Sequence, residues 1–141
     1  LGGALKNVMA IACGVAIGAG LGDSARAALM TRGFSEMLTL ADKLGAERAT
    51  LGGLSGFGDL VLTCTSTQSR NFRYGQSLAR ETGFDKTTTV EGAATAKSVT
   101  KLAKSLELDL PICTVVADLI DAKTDVTTAL EALMARPLKE E

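Results

Sequence analysis

Lys6 is the residue in this sequence that is best placed to move a proton. The 141-residue chain contains no histidine, so proton transfer near neutral pH must use lysine, a carboxylate, tyrosine or cysteine, or a group from elsewhere. Lys6 stands just inside an otherwise apolar segment, LGGALKNVMAIA, with Asn7 beside it. A lysine at a helix start commonly extends its ammonium into water. Held partly buried, the same ammonium could exchange a proton with a substrate hydroxyl.

A carboxylate and a hydroxyl one helical turn apart form a second candidate group. Asp59 follows a Gly-Phe-Gly segment and precedes three apolar residues, and Thr63 comes four positions later. Asp59 could simply cap a helix. Alternatively, the two side chains share one helical face and together hold a lysine ammonium and a substrate oxygen.

The tripeptide Ser69-Arg70-Asn71 opens a predicted helix after the polar run TSTQ. Backbone N–H groups at a helix start attract anions, and a guanidinium can add a bidentate contact to phosphate. An ordinary capped helix with a surface arginine is the alternative explanation.

Two glycine-rich segments invite a nucleotide-binding interpretation, but neither fits it. Residues 18–23 read GAGLGD, which lacks the dinucleotide fingerprint, and no predicted strand precedes them. Residues 52–58 lack the lysine and the hydroxyl residue of a P-loop. If the chemistry uses a dinucleotide, we expect its main binding site to lie outside this chain.

Helices must position these side chains, because helix-favouring residues dominate, only two prolines occur and no segment alternates like a strand. The prediction is an all-α bundle of six to eight helices in one domain. Helix starts are predicted before Lys6, at Asp23 or Ser24, Ser69, Glu91, Pro111, and Thr124 or Asp125, with ends at Gly45 and Arg80.

Apolar residues at helical spacing predict the buried faces. The predicted inward residues are Met30, Phe34, Met37, Leu38, Ala41 and Leu44 on the second helix, and Ala96, Val99, Leu102, Ala103 and Leu106 on the helix from Glu91. On that later helix the predicted outward residues are Lys97, Lys101 and Lys104. Ala10, Gly14 and Gly18 should let another helix approach closely along one face.

The overall charge and the cysteines exclude several kinds of partner. A net charge of −1 gives no reason to expect nucleic acid or an anionic membrane, and the glycine-interrupted apolar segment suits a buried helix better than membrane insertion. Cys13, Cys64 and Cys113 match no metal-ligand spacing. We therefore expect no metal, three buried thiols and a reducing cytoplasm.

Taken in order, the motifs GGALKNV, GFGDLVLTCTS, SRN and TVEG resemble the C-terminal domain of the bacterial NAD(P)-dependent glycerol-3-phosphate dehydrogenases. The resemblance covers essentially the whole chain, with TRGFSEM between the first two motifs and LPI at Pro111. It implies the compact multi-helix fold of the 6-phosphogluconate dehydrogenase C-terminal-domain type. It also implies interconversion of glycerone phosphate and sn-glycerol 3-phosphate with NADH or NADPH, for glycerophospholipid synthesis.

The resemblance also implies residue roles. Lys6 resembles the catalytic lysine, which protonates the C2 oxygen of the substrate as hydride arrives and accepts that proton in the reverse direction. Asn7 and Asp59 match the polar residues around it, and Thr63 matches a hydroxyl that contacts substrate.

The remaining motifs match binding residues of the family. Ser69, Arg70 and Asn71 resemble the phosphate-binding segment, with Arg70 also facing the cofactor. Glu91 corresponds to a residue of this domain that contacts the cofactor. Thr89 corresponds to another such residue, at a position where the family often has valine.

Because the resemblance is to a C-terminal domain, it also implies an N-terminal Rossmann NAD(P)-binding domain that is absent from this chain. The leading prediction is therefore that this domain binds glycerol phosphates weakly and is inactive alone. One alternative is an assembly module, in which the face formed by Ala10, Gly14 and Gly18 pairs between the subunits of a homodimer. Another is the substrate domain of a related dehydrogenase that acts on a different phosphorylated hydroxy compound.

Overall fold

A computed structural model describes residues 2–46, 54–84 and 90–135. Within these ranges the chain forms seven α-helices and one π-helical turn, and no strand. The elements are α1 (Gly2–Gly18), α2 (Asp23–Lys43), the π-helical turn (Leu54–Gly58), α3 (Asp59–Thr65), α4 (Arg70–Arg80), α5 (Glu91–Ser105), α6 (Pro111–Ile120) and α7 (Val126–Ala135). The predicted all-α fold is confirmed for this part of the chain.

The centre of the bundle is α1, which packs against each of the six other α-helices. Residues 8–16 of this helix are buried, and this uncharged stretch is stable there because it is surrounded by apolar neighbours. Full burial of a Val, Ile or Met side chain contributes about 1.5–3 kcal/mol. The helix is therefore a fixed platform for Lys6 near its start.

The backbones of α1 and α4 touch. A Cβ on Gly14 would lie 2.1 Å from the Phe72 carbonyl oxygen, and a Cβ on Gly75 would lie 2.1 Å from the Ile11 carbonyl oxygen. Real Cβ atoms do not come this close to other atoms, so only glycine fits at either position. The close approach predicted for this face of α1 is confirmed.

The contacts advance together along both helices, from Ile11 with Gly75 to Gly18 with Ala79. It follows that α1 and α4 run parallel, and that their N-terminal ends lie at the same end of the bundle. The small-residue face of α1 is covered by a helix of the same chain.

The two ends of α2 give one wrong and one confirmed prediction. Neither Asp23 nor Ser24 is the cap, because the helix already begins at Asp23 and its N-cap is Gly22. Asp23 instead forms an ion pair with Arg26 at 2.8 Å, and its carboxylate suits the positive end of the helix dipole. The predicted end is confirmed, with Gly45 at a φ of 79° that glycine adopts readily.

The buried face of α2 differs from the predicted stripe at its end. Leu44, predicted to face inward, is 47% exposed because it follows the last helical residue. A Cβ on Gly33 would lie 2.5 Å from the Met9 Sδ, so this glycine makes room for a core side chain. Members of the buried face that the stripe missed are Leu29, Gly33, Glu36 and Leu40.

Glu36 is a buried carboxylate within that face. It is 8% exposed, and its oxygens accept hydrogen bonds from the N–H groups of Ile112 at 2.7 Å and Cys113 at 3.3 Å. These N–H groups belong to the first turn of α6, whose N-cap, Leu110, makes no side-chain hydrogen bond. Burial raises the pKa of Glu36 to about 7, although both N–H groups favour its charged form. Glu36 thus joins α2 to the start of α6.

The other helix starts follow the predictions: Ser69 caps α4, Pro111 opens α6 and Asp125 caps α7 by accepting the Thr128 N–H at 2.7 Å. The predicted inward residues of α5 are buried or partly buried, and its three predicted outward lysines are exposed. None of the helices that the structure describes is long and apolar enough to cross a membrane. The buried free cysteines, as predicted, are Cys13, Cys64 and Cys113.

Candidate active site

Lys6 lies in the second turn of α1, and its ammonium contacts the start of α3. The Nζ atom is 3.4 Å from Oδ2 of Asp59, with side chains that are 26% and 45% exposed. An ion pair this accessible contributes at most about 1 kcal/mol, so its main effect is to orient the ammonium. Asp59 takes one of the three ammonium donors, which leaves the others for a bound oxygen. The structure thus brings together the two residues that the sequence suggested as partners.

The π-helical turn Leu54–Gly58 determines where Asp59 lies. This turn lies in the glycine-rich segment that the sequence excluded as a P-loop, and it leads directly into α3. The Phe57 ring packs edge-on against Phe34 of α2, with centroids 5.2 Å apart. Single π-helical turns are frequent at functional sites because they redirect side chains at the neighbouring positions. Here the turn presents Asp59 as the first residue of α3.

Thr63 lies one turn after Asp59 in α3 and is partly buried. Leu60 and Cys64 of the same helix are fully buried and anchor it in the core. The helical spacing keeps Thr63 on the side that carries Asp59, as predicted.

The start of α4 contains the predicted phosphate segment. Ser69 is the N-cap, and its Oγ accepts the Phe72 N–H at 3.2 Å. The Arg70 Nη2 is 2.9 Å from Oε1 of Glu91, the first residue of α5, and both side chains are 48% exposed. A guanidinium has five N–H donors, so this contact leaves donors for an anion. The structure therefore makes neighbours of two residues that the resemblance assigned to the cofactor.

Asn71 lies differently from Arg70. It is 4% exposed, and its Oδ1 accepts the Gly92 N–H at 2.9 Å. Its side-chain oxygen therefore faces α5 inside the bundle. A substrate contact by Asn71 stays a prediction. Its backbone N–H group, in the first turn of α4, could make that contact.

Asn7 and Gly92 bring α1 and α5 into contact. Asn7 is partly buried, and its carbonyl oxygen would lie 2.8 Å from a Cβ on Gly92. Gly92 was not among the residues predicted from the sequence, although a glycine within a predicted helix is a usable signal because glycine is a poor helix former. Thr89 lies outside the described residues.

A continuous chain of contacts links these groups at one end of the bundle. Asp59 contacts Lys6, the neighbouring Asn7 contacts the start of α5, and α5 is bonded to the start of α4. Two cationic and two anionic side chains balance, so an incoming anion must compete with the carboxylates or use N–H groups at helix starts. This arrangement can protonate an oxygen and bind an anion.

The described residues contain no phosphate-binding loop of the Rossmann type. A phosphate-binding loop of the Rossmann type needs a strand before its helix, and the described ranges contain none. The half-exposed Arg70 and Glu91 supply polar groups that fit a cofactor lying beside this end of the bundle. In the same ranges, no three His, Cys, Asp or Glu side chains form a group that could hold a metal ion.

The sequence profile described as NAD-dependent glycerol-3-phosphate dehydrogenase C-terminus matches residues 1–131 of this chain. The chain belongs to this family. Glycerol-3-phosphate dehydrogenase [NAD(P)+] of Cereibacter sphaeroides is 60% identical over 141 residues, and that of Paracoccus denitrificans is 61% identical. The alignments cover 100% of this chain but 46% and 45% of those proteins, so the chain spans a little under half the length of the curated relatives it matches.

Solved structures give the same result for the fold. Glycerol-3-phosphate dehydrogenase from Coxiella burnetii superposes with a TM-score of 0.88 at 39% identity, covering 96% of this chain and 43% of that one. The Plasmodium falciparum enzyme superposes with a TM-score of 0.82 at 20% identity, covering 99% and 42%, which supports the fold alone. The family resemblance inferred from the motifs is confirmed.

Proposed function

We propose that this chain is the substrate-binding and proton-transferring half of an NAD(P)-dependent sn-glycerol-3-phosphate dehydrogenase. The overall reaction converts glycerone phosphate, NAD(P)H and a proton into sn-glycerol 3-phosphate and NAD(P)+, and it supplies the backbone of glycerophospholipids. The observation that carries the proposal is the Lys6–Asp59 pair at 3.4 Å in a chain of this family. Three buried free thiols fit a reducing cytoplasm as its compartment.

Lys6 is the acid of the proposed reduction. A bound nicotinamide would supply the hydride at C2 of the substrate in the reduction and accept it in the oxidation. The Lys6 ammonium donates a hydrogen bond to the C2 oxygen and transfers a proton to it as negative charge develops, and the neutral amine takes that proton back in the oxidation. Because Asp59 fixes the ammonium before substrate arrives, little reorganisation is needed at the moment of reaction. Asn7 and Thr63 are proposed to hold substrate oxygens beside it.

The start of α4 is the proposed phosphate site. Backbone N–H groups of its first turn and the Arg70 guanidinium donate to the phosphate oxygens, with Ser69 and Asn71 as the flanking members of the site. Arg70 also faces the cofactor together with Glu91, and Thr89 is proposed to join them.

The main binding site for NAD(P) is proposed to lie in a Rossmann domain that is not part of this chain, so that the chain alone is inactive. Of the two alternatives, the assembly module loses its motive, because α4 of the same chain covers the small-residue face of α1. A homodimer stays a prediction. The related-dehydrogenase alternative has no specific observation in its favour.

A chimera tests the proposal. This chain replaces the part of the Cereibacter sphaeroides relative that it matches, and NADH oxidation with glycerone phosphate is followed for the chimera and for the 141-residue chain alone. The expected result is turnover by the chimera, loss of turnover in Lys6→Ala, and none by the chain alone. Lys6-dependent turnover by the chain alone, or chimera turnover that Lys6→Ala leaves unchanged, would contradict the proposal.

A further inference from the structure

Two adjacent residues of α4 pair with two adjacent residues of α5. Arg70 bonds to Glu91 and Asn71 bonds to Gly92, each at 2.9 Å. The arginine and glutamate side chains are both 48% exposed, whereas Asn71 is 4% exposed. The two helix starts are therefore joined by an outer ion pair and an inner hydrogen bond.

The inner hydrogen bond is the contact that can fix the geometry. An exposed ion pair is weakened by water and salt and contributes little. A buried hydrogen bond acts at low dielectric, and its loss leaves an unsatisfied N–H group. Val90, the N-cap of α5, makes no side-chain hydrogen bond, so Asn71 supplies the missing cap from another helix.

Gly92 is also held against α1. A Cβ at this position would lie 2.7 Å from Asn71 Oδ1, 2.8 Å from the Asn7 carbonyl oxygen and 2.9 Å from Ile11 Cδ1. The start of α5 is thus enclosed between α4 and the segment of α1 that carries Lys6. The inner hydrogen bond therefore lies where α1, α4 and the start of α5 meet.

We propose that Asn71 is a positioning residue, which acts through Gly92 to hold Glu91 and Arg70 in the geometry that the cofactor side of the site requires. This role differs from the direct substrate contact that the resemblance implies for Asn71. The positioning role rests on the proposed function, whereas the Asn71–Gly92 hydrogen bond can be tested without measuring turnover.

Amide hydrogen exchange of the 141-residue chain tests the contact. Asn71→Ala removes the acceptor, and Asn71→Asp keeps an oxygen at the same distance from the backbone. Ser77→Ala is the matched control, because Ser77 is a buried polar residue of α4 whose Oγ bonds within that helix to the Tyr74 carbonyl oxygen. Asn71→Ala should speed exchange at Gly92 about 10-fold, with smaller changes in Asn71→Asp and none in Ser77→Ala. Unchanged exchange at Gly92 would overturn the proposal. An equal rise in amide exchange throughout α2 would also overturn it, because it would show a general loss of stability and not the loss of one contact.

Kinetics of the chimera test the consequence. Asn71→Ala should raise the KM for NADH several-fold, and Glu91→Ala should then have little further effect, since its contact is already misplaced. Asn71→Asp should recover part of the loss. Additive effects of the two alanine variants, or weaker binding of glycerone phosphate by Asn71→Asp than by Asn71→Ala, would overturn the positioning role. Absence of Lys6-dependent turnover would instead defeat the proposed function and leave the exchange result standing.

Discussion

The starts of α5 and α6 are built alike but carry different charges. Each has an apolar N-cap, Val90 or Leu110, without a side-chain hydrogen bond. Each is capped instead by a polar side chain from another helix. Asn71 caps α5 with a neutral amide, and Glu36 caps α6 with a carboxyl group.

The two capping side chains differ in charge, so the two helix starts respond differently to pH. At the candidate site the neutral cap adds no net charge, so the two cationic and two anionic side chains there set the local potential. At the start of α6, burial raises the pKa of Glu36 to about 7, with the nearby Asp109 carboxylate also raising it. The cap of α5 therefore does not titrate, whereas the cap of α6 titrates near neutral pH.

The largest expected effect is the loss of turnover when the lysine of the candidate site is replaced, compared with a lysine of a surface ion pair. Lys6→Ala in the chimera should lower kcat by about 10²–10⁴-fold, because the proposed proton donor is lost, with a much smaller change in KM. Lys97→Ala is the control, since Lys97 pairs with Asp121 at 2.9 Å on the surface. Equal losses in kcat and in substrate affinity would mean that Lys6 mainly binds substrate.

The next effect is the pH dependence that the Glu36 cap should create. Its folded-state pKa of about 7 lies above the ordinary value of 4.5, so its contribution to stability is complete below pH 4.5 and is lost as pH rises through 7. The loss amounts to about 3 kcal/mol at most. Urea unfolding of wild type and Glu36→Gln from pH 4 to 8 measures it. The variant should gain stability relative to wild type as pH rises, whereas Glu131→Gln, an exposed change, should not. If the variant instead loses stability relative to wild type as pH rises, the N–H groups of α6 outweigh burial in setting the pKa of Glu36.

Glycine in the first turn of two helices gives a smaller contrast. Gly92→Ala should destabilise the chain by about 1–3 kcal/mol, because its Cβ would crowd three atoms. Gly3→Ala in α1 meets nothing within 4 Å and should be neutral or stabilising, since alanine favours a helix. Thermal unfolding of both variants measures the contrast, and equal effects would refute the crowding at Gly92.

The smallest effect concerns the outer ion pair. Glu91→Gln should lower the free energy of unfolding by less than about 1 kcal/mol, and this loss should vanish in about 1 M salt. The loss caused by Asn71→Ala should persist at that salt concentration, because its hydrogen bond is buried. If both losses respond equally to salt, the inner and outer contacts are not distinct.

The sequence was sufficient for most of the fold. Local signals at Ser69, Pro111 and Asp125 marked helix starts correctly, because cap residues act on N–H groups a few positions away. The same rules placed the α2 cap at Asp23 or Ser24, which was wrong, since the chain enters that helix through Gly22. Leu44 was assigned inward because its spacing continued past the end of the helix.

Parts of the site could not be predicted because its contacts join distant residues. Lys6 and Asp59 were recognised as chemical groups, and their resemblance to a family linked them, but no local rule measures a contact across 53 positions. The caps supplied by Asn71 and Glu36 reach 21 and 76 positions along the chain. A buried glutamate within an apolar stripe is the signal that could have revealed the second.

Titration of the 141-residue chain with sn-glycerol 3-phosphate is the most direct test of the claim that this end of the bundle is the substrate half of a dehydrogenase. We expect weak saturable binding that Arg70→Ala weakens about 10-fold or more, through loss of a charge-assisted contact, and that Glu36→Gln leaves unchanged. Equal binding by the wild type and Arg70→Ala, or no preference for sn-glycerol 3-phosphate over glycerol, would contradict it.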